Sequence, residues 1–208
     1  MLRVGLTGGL ACGKSFVGQA LAGLGCYLIE ADKLGHEVML PGAEAYDGIL
    51  REFGPDILDE HGLISRRKLS AIVWTNPERL ARLNALVHPP VRRREETLMA
   101  EIGRRDPDAI VVVEAAILVE TGRYKSFDRL IVVTCASEQQ MERALERGSY
   151  NREEILARLS RQLPLEEKLR VADYVIDTSG DKETTLEQVR KVYGSLQSLQ
   201  GLSFKGGV

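Results

Sequence analysis

Cysteine is scarce. Cys12, Cys26 and Cys135 are the three in 208 residues, and no two of them share a C-x-x-C spacing. That spread excludes a disulfide framework and a cysteine-based zinc site, and it fits a reducing cytosol. Excess charge of one sign is missing too. The 28 Lys and Arg residues nearly balance 30 Asp and Glu, leaving a net charge of −2. No nucleic-acid partner is expected of such a balance. Apolar runs of membrane-spanning length are absent, as are internal repeats, and the chain enters a strand pattern at once with no secretory leader. A cytoplasmic protein with no membrane contact is expected, acting as a monomer. What remains is an ordinary globular composition, 44% hydrophobic and 28% charged. A chain of this size can hold one α/β domain with an inserted subdomain.

One stretch organises the rest. Gly8-Gly9-Leu10-Ala11-Cys12-Gly13-Lys14-Ser15 fits G-x-x-x-x-G-K-[ST], the phosphate-binding loop. The apolar run Leu2 to Leu6 precedes it, and a helical pattern (Phe16, Val17, Ala20, Leu21, Leu24) follows. Strand, glycine loop and helix are the context that the motif requires. The alternative is a glycine-rich turn that only starts a helix. Chance would produce the motif in roughly one chain of this length in a hundred, and the flanking elements make it rarer. Glycines let the backbone come close to a phosphate chain. Successive N–H groups then form an anion nest at the positive end of a helix. Lys14 is expected to reach the β- and γ-phosphates of ATP, and Ser15 to ligate Mg²⁺.

Further along, Cys26 to Ile29 reads as a second strand that delivers Glu30-Ala31-Asp32. Ligands bind at the carboxyl ends of strands in open parallel sheets. Asp32 is therefore either a general base for an acceptor hydroxyl or the N-cap of a helix from Lys33 to Met39, and its own residues leave both readings open. From about 41 to 105, helical segments dominate: Ala45–Phe53, Ser65–Val73, Pro77–His88 and Pro90–Arg104. They describe a helical insertion, with His88 as a helix-ending residue before Pro89. Its basic clusters are either a solvated face or a cradle for an anionic acceptor. Ala109–Val113 and Leu130–Thr134 read as buried strands. The first ends at Glu114, where an acid often helps hold Mg²⁺.

Ser137–Arg147 reads as a helix with Arg143 and Arg147 on one face. Asn151 and Glu154 form a capping-box-like start to the next helix. With Arg152, Arg158 and Arg161 they suggest an arginine-rich lid over about 140–165, suited to charge that spreads over a transferring phosphoryl group. Tyr174–Ile176 is the last strand, and a nucleotide base could rest on the loop Asp177-Thr178-Ser179-Gly180 that follows. A helix Leu186–Leu199, capped by Thr184 or Thr185, closes the domain, and about 200–208 reads as a disordered tail. The fold class is α/β: a P-loop kinase-like parallel five-stranded sheet flanked by helices.

Taken together, the motifs resemble the dephospho-CoA kinase family over about residues 1 to 195. Thr7-Gly8-Gly9 opens the chain, Glu30-Ala31-Asp32 is similar to the family's D-A-D, and Gly62-Leu63-Ile64-Ser65-Arg66 to its G-x-[LI]-[DNS]-R. Leu83 to Pro89 matches L-N-x-x-x-H-P, and Arg158, Gln162 and Ala172-Asp173-Tyr174-Val175-Ile176 match later segments. The resemblance implies transfer of the ATP γ-phosphate to the ribose 3′-hydroxyl of dephospho-CoA, with Mg²⁺. It implies ATP contacts from Gly8, Gly9, Ala11, Cys12, Gly13, Lys14, Ser15, Phe16, Arg143, Arg147 and Thr178. It makes Asp32 the base, Lys14 and Arg143 its catalytic companions, and Asp32, Arg66, His88, Leu118 and Glu120 the acceptor side. The sequence departs from the pattern at Ala11-Cys12 in place of Gly-Ser, at Ala116-Ile117-Leu118 in place of P-L-L, and at Thr178 in place of Asn. A kinase of nucleosides or nucleoside monophosphates is the alternative, since it shares loop and lid; the L-N-x-x-x-H-P segment speaks against it.

Overall fold

Five short apolar runs, each too short for a helix, become strands, the three central ones largely buried on both faces and the two edge ones partly exposed. In the computed structural model, which describes residues 1–73, 76–146, 148, 151–160 and 162–203, they are β1 (Leu2–Gly8), β2 (Tyr27–Glu30), β3 (Ile110–Glu114), β4 (Arg129–Thr134) and β5 (Tyr174–Asp177). The sheet is all parallel, in the order β2-β3-β1-β4-β5. The chain leaves β1 for one side of the sheet and later for the other, so a crevice opens beyond the carboxyl end of β1. The glycine loop sits at that end.

The chain divides into two compact units, one of Met1–Ile29 with Ile102–Val208 and one of Glu30–Glu101. In the first, the helices α1 (Lys14–Gly23) and α9 (Lys182–Ser203) cover the sheet. Val17 and Leu21 of α1 and Val189, Val192 and Leu196 of α9 join Val4, Leu6, Val112, Ile131, Val133 and Ile176 in one buried cluster. Each such side chain contributes about 1.5–3 kcal/mol on burial. This core makes the end of β1 a rigid platform. The helices α6 (Ser137–Glu146), α7 (Arg152–Leu159) and α8 (Leu165–Leu169) lie between β4 and β5 in the chain. The expected capping box is present. Asn151 accepts from the Glu154 amide, and Glu154 accepts from the Asn151 amide, both at 2.9 Å.

The second unit holds α2 (Ala31–Glu37), α3 (Tyr46–Phe53) and α4 (Arg66–Val73). The long α5 (Pro77–Arg105) runs from it into the first. Three expectations are corrected here. The segments split at His88 are one helix of 29 residues with Pro89 and Pro90 inside it. A proline costs about 3 kcal/mol in a helix interior, but roughly three or more regular turns on either side carry the pattern through. And Asp32 is not an N-cap: α2 starts at Ala31 with Glu30 as its extended N-cap, so Asp32 lies in the first turn. Similarly, the cap of α9 is Asp181, whose carboxylate accepts from the Thr184 amide at 2.7 Å. That pairing holds the Asp181 carboxyl below its usual range. The expected tail falls mostly at 204–208, outside the described residues. No helix among the described residues is long and apolar enough to cross a membrane.

Candidate active site

The loop between β1 and α1 turns on three unusual backbone angles, at Gly8 (φ 155), Ala11 (φ 56) and Gly13 (φ 81). Gly8 has a reason beyond its angle. A Cβ there would stand 2.3 Å from the carbonyl oxygen of Val133, its register partner on β4. That neighbour is backbone and cannot step aside. Gly8→Ala is therefore expected to cost about 2–4 kcal/mol, from overpacking plus backbone strain. A urea midpoint equal to the parent's would show that this end of β1 is not held by the contact.

The loop's reactive side chains are already arranged. Lys14 Nζ folds back and donates to the carbonyls of Gly8 (3.2 Å) and Gly9 (2.9 Å). This holds the cation at the mouth of the loop. Ser15 Oγ donates to Glu114 Oε1 at 2.9 Å, joining the start of α1 to the end of β3. A hydroxyl beside a carboxylate is a hard oxygen donor set. It suits Mg²⁺, which takes one or two protein oxygens and leaves its other positions to water and phosphate. The residues present fit that ion.

Behind the loop stands Thr178, at the end of β5 and almost fully buried. Its hydroxyl donates to the Cys12 carbonyl at 3.0 Å. Arg143 of α6 donates to the Thr178 hydroxyl at 3.0 Å and to its carbonyl at 2.8 Å. A cleft of about 380 Å³ opens here, lined by Gly13, Phe16, Arg143, Thr178, Gly180 and Lys182 among others. The structure thus brings together Ala11, Gly13, Phe16, Arg143 and Thr178, all expected from sequence to meet ATP. Gly180, in the loop expected to carry the base, lines the cleft too, and Lys182 was missed. Its only signal was its place just past that loop, at the sheet's carboxyl edge. Arg147 and Arg161, expected in the same region, lie outside the described residues.

Other expected residues have different surroundings. Leu118 is 1% exposed, with its side chain packed toward Gly5 of β1. Glu120 pairs with Lys168 Nζ of α8 at 2.6 Å and accepts from the Leu163 amide at 3.3 Å. Lys168 is itself buried. In the second unit, Asp32 and Arg66 are exposed and His88 half-buried. Asp32 and Arg66 both lie close enough to His36 to act on its titration. Burial first, then the Arg66 charge, push the imidazole below its ordinary value, and Asp32 pulls the other way. His36 was missed in the sequence, although it sits one helical turn from Asp32 and so on the same face.

Three comparisons bear on this arrangement. The model of the dephospho-CoA kinase family matches residues 2–184. A dephospho-CoA kinase of Aquifex aeolicus is 42% identical over 196 residues, spanning 94% of this chain and 98% of that one. Among solved structures, TT1252 from Thermus thermophilus superposes with a TM-score of 0.79 at 31% identity, covering 93% of this chain and 96% of its own. A dephospho-CoA kinase from Campylobacter jejuni gives a TM-score of 0.69 at 27% identity, covering 94% and 97%.

Proposed function

This chain belongs to the dephospho-CoA kinase family, and on that premise we propose that it phosphorylates the ribose 3′-hydroxyl of dephospho-CoA with ATP, the last step of coenzyme A synthesis. What carries the reading is a single coincidence. A family match over nearly the whole chain coincides with a phosphate loop whose Lys14 and Ser15, with Glu114 at the end of β3, suit a nucleotide phosphate chain.

The roles divide as follows. The amides from Ala11 to Phe16 and the Lys14 ammonium receive the β- and γ-phosphates. Gly8 and Gly9 shape the mouth of the loop. Arg143 stabilises charge on the phosphoryl group in flight, and Arg147 is assigned the same duty. The cleft beside Thr178 takes the rest of the nucleotide. Ser15 and Glu114 hold Mg²⁺, which when bound neutralises phosphate charge. Asp32 accepts the proton of the 3′-hydroxyl as its oxygen bonds to the γ-phosphorus. The bond from that phosphorus to the bridging oxygen breaks, and ADP leaves. Arg66 and His88 bind the acceptor. Residues 30–101 serve as the acceptor-binding insertion and about 140–165 as the lid. The enzyme works as a cytoplasmic monomer.

The deciding assay is ADP release from ATP with Mg²⁺, using dephospho-CoA, AMP, adenosine or shikimate as acceptor. Turnover with dephospho-CoA at least a hundredfold above the other acceptors (about 3 kcal/mol of discrimination) is the expected result. Preference for a different acceptor would overturn the substrate while leaving a kinase. Hydrolysis indifferent to every acceptor would overturn transfer itself.

A further inference from the structure

One residue of the phosphate loop has both of its backbone polar atoms taken by distant side chains. The Leu10 N–H donates to Gln162 Oε1 at 3.1 Å, across 152 residues of sequence. The carbonyl of the same residue accepts from Gln140 Nε2 at 2.7 Å. Leu10 is thus held on both its polar atoms by two glutamine side chains. Gln140 stands on α6, and Gln162 lies in the connector between α7 and α8. Gln140 also crosses the loop. Its Nε2 reaches Cys12 Sγ at 3.4 Å, and a Cβ at Gly9 would meet that same nitrogen at 2.4 Å. A side chain at position 9 would press on the Gln140 amide.

Two further observations support a built clamp. Ala11, in a left-handed conformation, is buried with Ala144 of α6 and Ile155 of α7, and Leu10, Met141 and Leu159 pack around them. That side of the loop is docked on α7 and on α6, the helix that supplies Arg143. Next to Gln162, the Leu163 amide donates to Glu120, which the buried Lys168 holds in an ion pair. A buried pair of this kind costs desolvation and adds little net stability. What it does here is fix the backbone one residue from the side chain that grips Leu10.

We propose that Gln162 and Gln140 are positioning residues for the phosphate loop. They clamp Leu10 through its two adjoining peptide groups, so that the amides from Ala11 onward face the phosphates before nucleotide arrives. The Glu120–Lys168 pair anchors the Gln162 arm. The inference rests on the nucleotide-binding half of the proposed function and not on the acceptor.

The test compares the full-length parent with Gln162→Met, Gln140→Met and the double variant. Methionine keeps the length and removes the amide. Each single change is expected to weaken ATP binding, measured without acceptor, by about tenfold, the loss of one hydrogen bond to a preorganised loop. The double variant should lose clearly less than the product of the two, because both side chains hold the same residue through its two adjoining peptide groups. The KM for acceptor should stay within about twofold. The Leu10 amide should exchange faster in Gln162→Met, while amides of β1 keep their protection. ATP affinity equal to the parent's in both single variants would overturn the clamp. So would a parallel loss of stability, ATP affinity and acceptor KM, since that describes a merely structural role. If the parent shows no turnover with dephospho-CoA but the tenfold ATP losses appear, the acceptor assignment falls and the clamp stands.

Discussion

Asp32→Asn is expected to lower kcat with dephospho-CoA by about two to four orders of magnitude, the usual contribution of a general base. The dissociation constant for ATP should not change. The structure makes this a clean experiment. Asp32 is exposed in the first turn of α2, and the cap position belongs to Glu30. Exposed substitutions away from caps and networks usually move stability by no more than about 0.5 kcal/mol. A large loss of turnover with an unchanged thermal midpoint would then report chemistry and not folding. The oxygen-to-nitrogen change keeps the shape and removes the negative charge, and with it the ability to take the proton. Single-turnover measurement with bound ATP separates the transfer step from product release. A kcat within about threefold of the parent's would remove Asp32 from the base role, and the exposed carboxylate would then be a bystander.

The second large effect falls on stability. Lys168→Met should cost about 3–5 kcal/mol, because it leaves the Glu120 carboxylate with no countercharge in a mostly buried place. For a chain of this size that corresponds to a drop in Tm on the order of 10 °C. Methionine has nearly the volume of lysine, so packing is retained and the charge alone is tested. Adding Glu120→Leu should restore most of the loss, since apolar replacement of a whole buried pair is often neutral. Full recovery is not expected. Glu120 also accepts from the Leu163 amide, and that donor would be left without its partner. Equal midpoints for the single and double variants would mean that the destabilisation comes from something other than the unpaired carboxylate.

The residues that local chemistry specifies were legible in the sequence. The phosphate loop, the five apolar runs, the Asn151–Glu154 box and the acid ending β3 each carry a signature within a few residues. What escaped was set by contacts far apart in the chain. Lys168 follows two glutamates in a short helix, the pattern of a solvated face, yet it is buried against Glu120. Leu118 stands where a substrate wall was expected and is spent against Gly5. Gln162 was noted only as a family match, and the amide that it grips is 152 residues away. No window of sequence holds both partners. The continuous α5 escaped for another reason: a Pro-Pro step is a strong local stop, and the regular turns on either side outweigh it.

The Thr178 side chain also limits how this enzyme could be redesigned. It floors the cleft assigned to the nucleoside, and its hydroxyl is tied to the Cys12 carbonyl of the phosphate loop. Any exchange made there to alter preference among purine donors would also loosen the grip on their phosphates. Tuning the donor without weakening it has to work at Gly180 and Lys182, which line the same cleft.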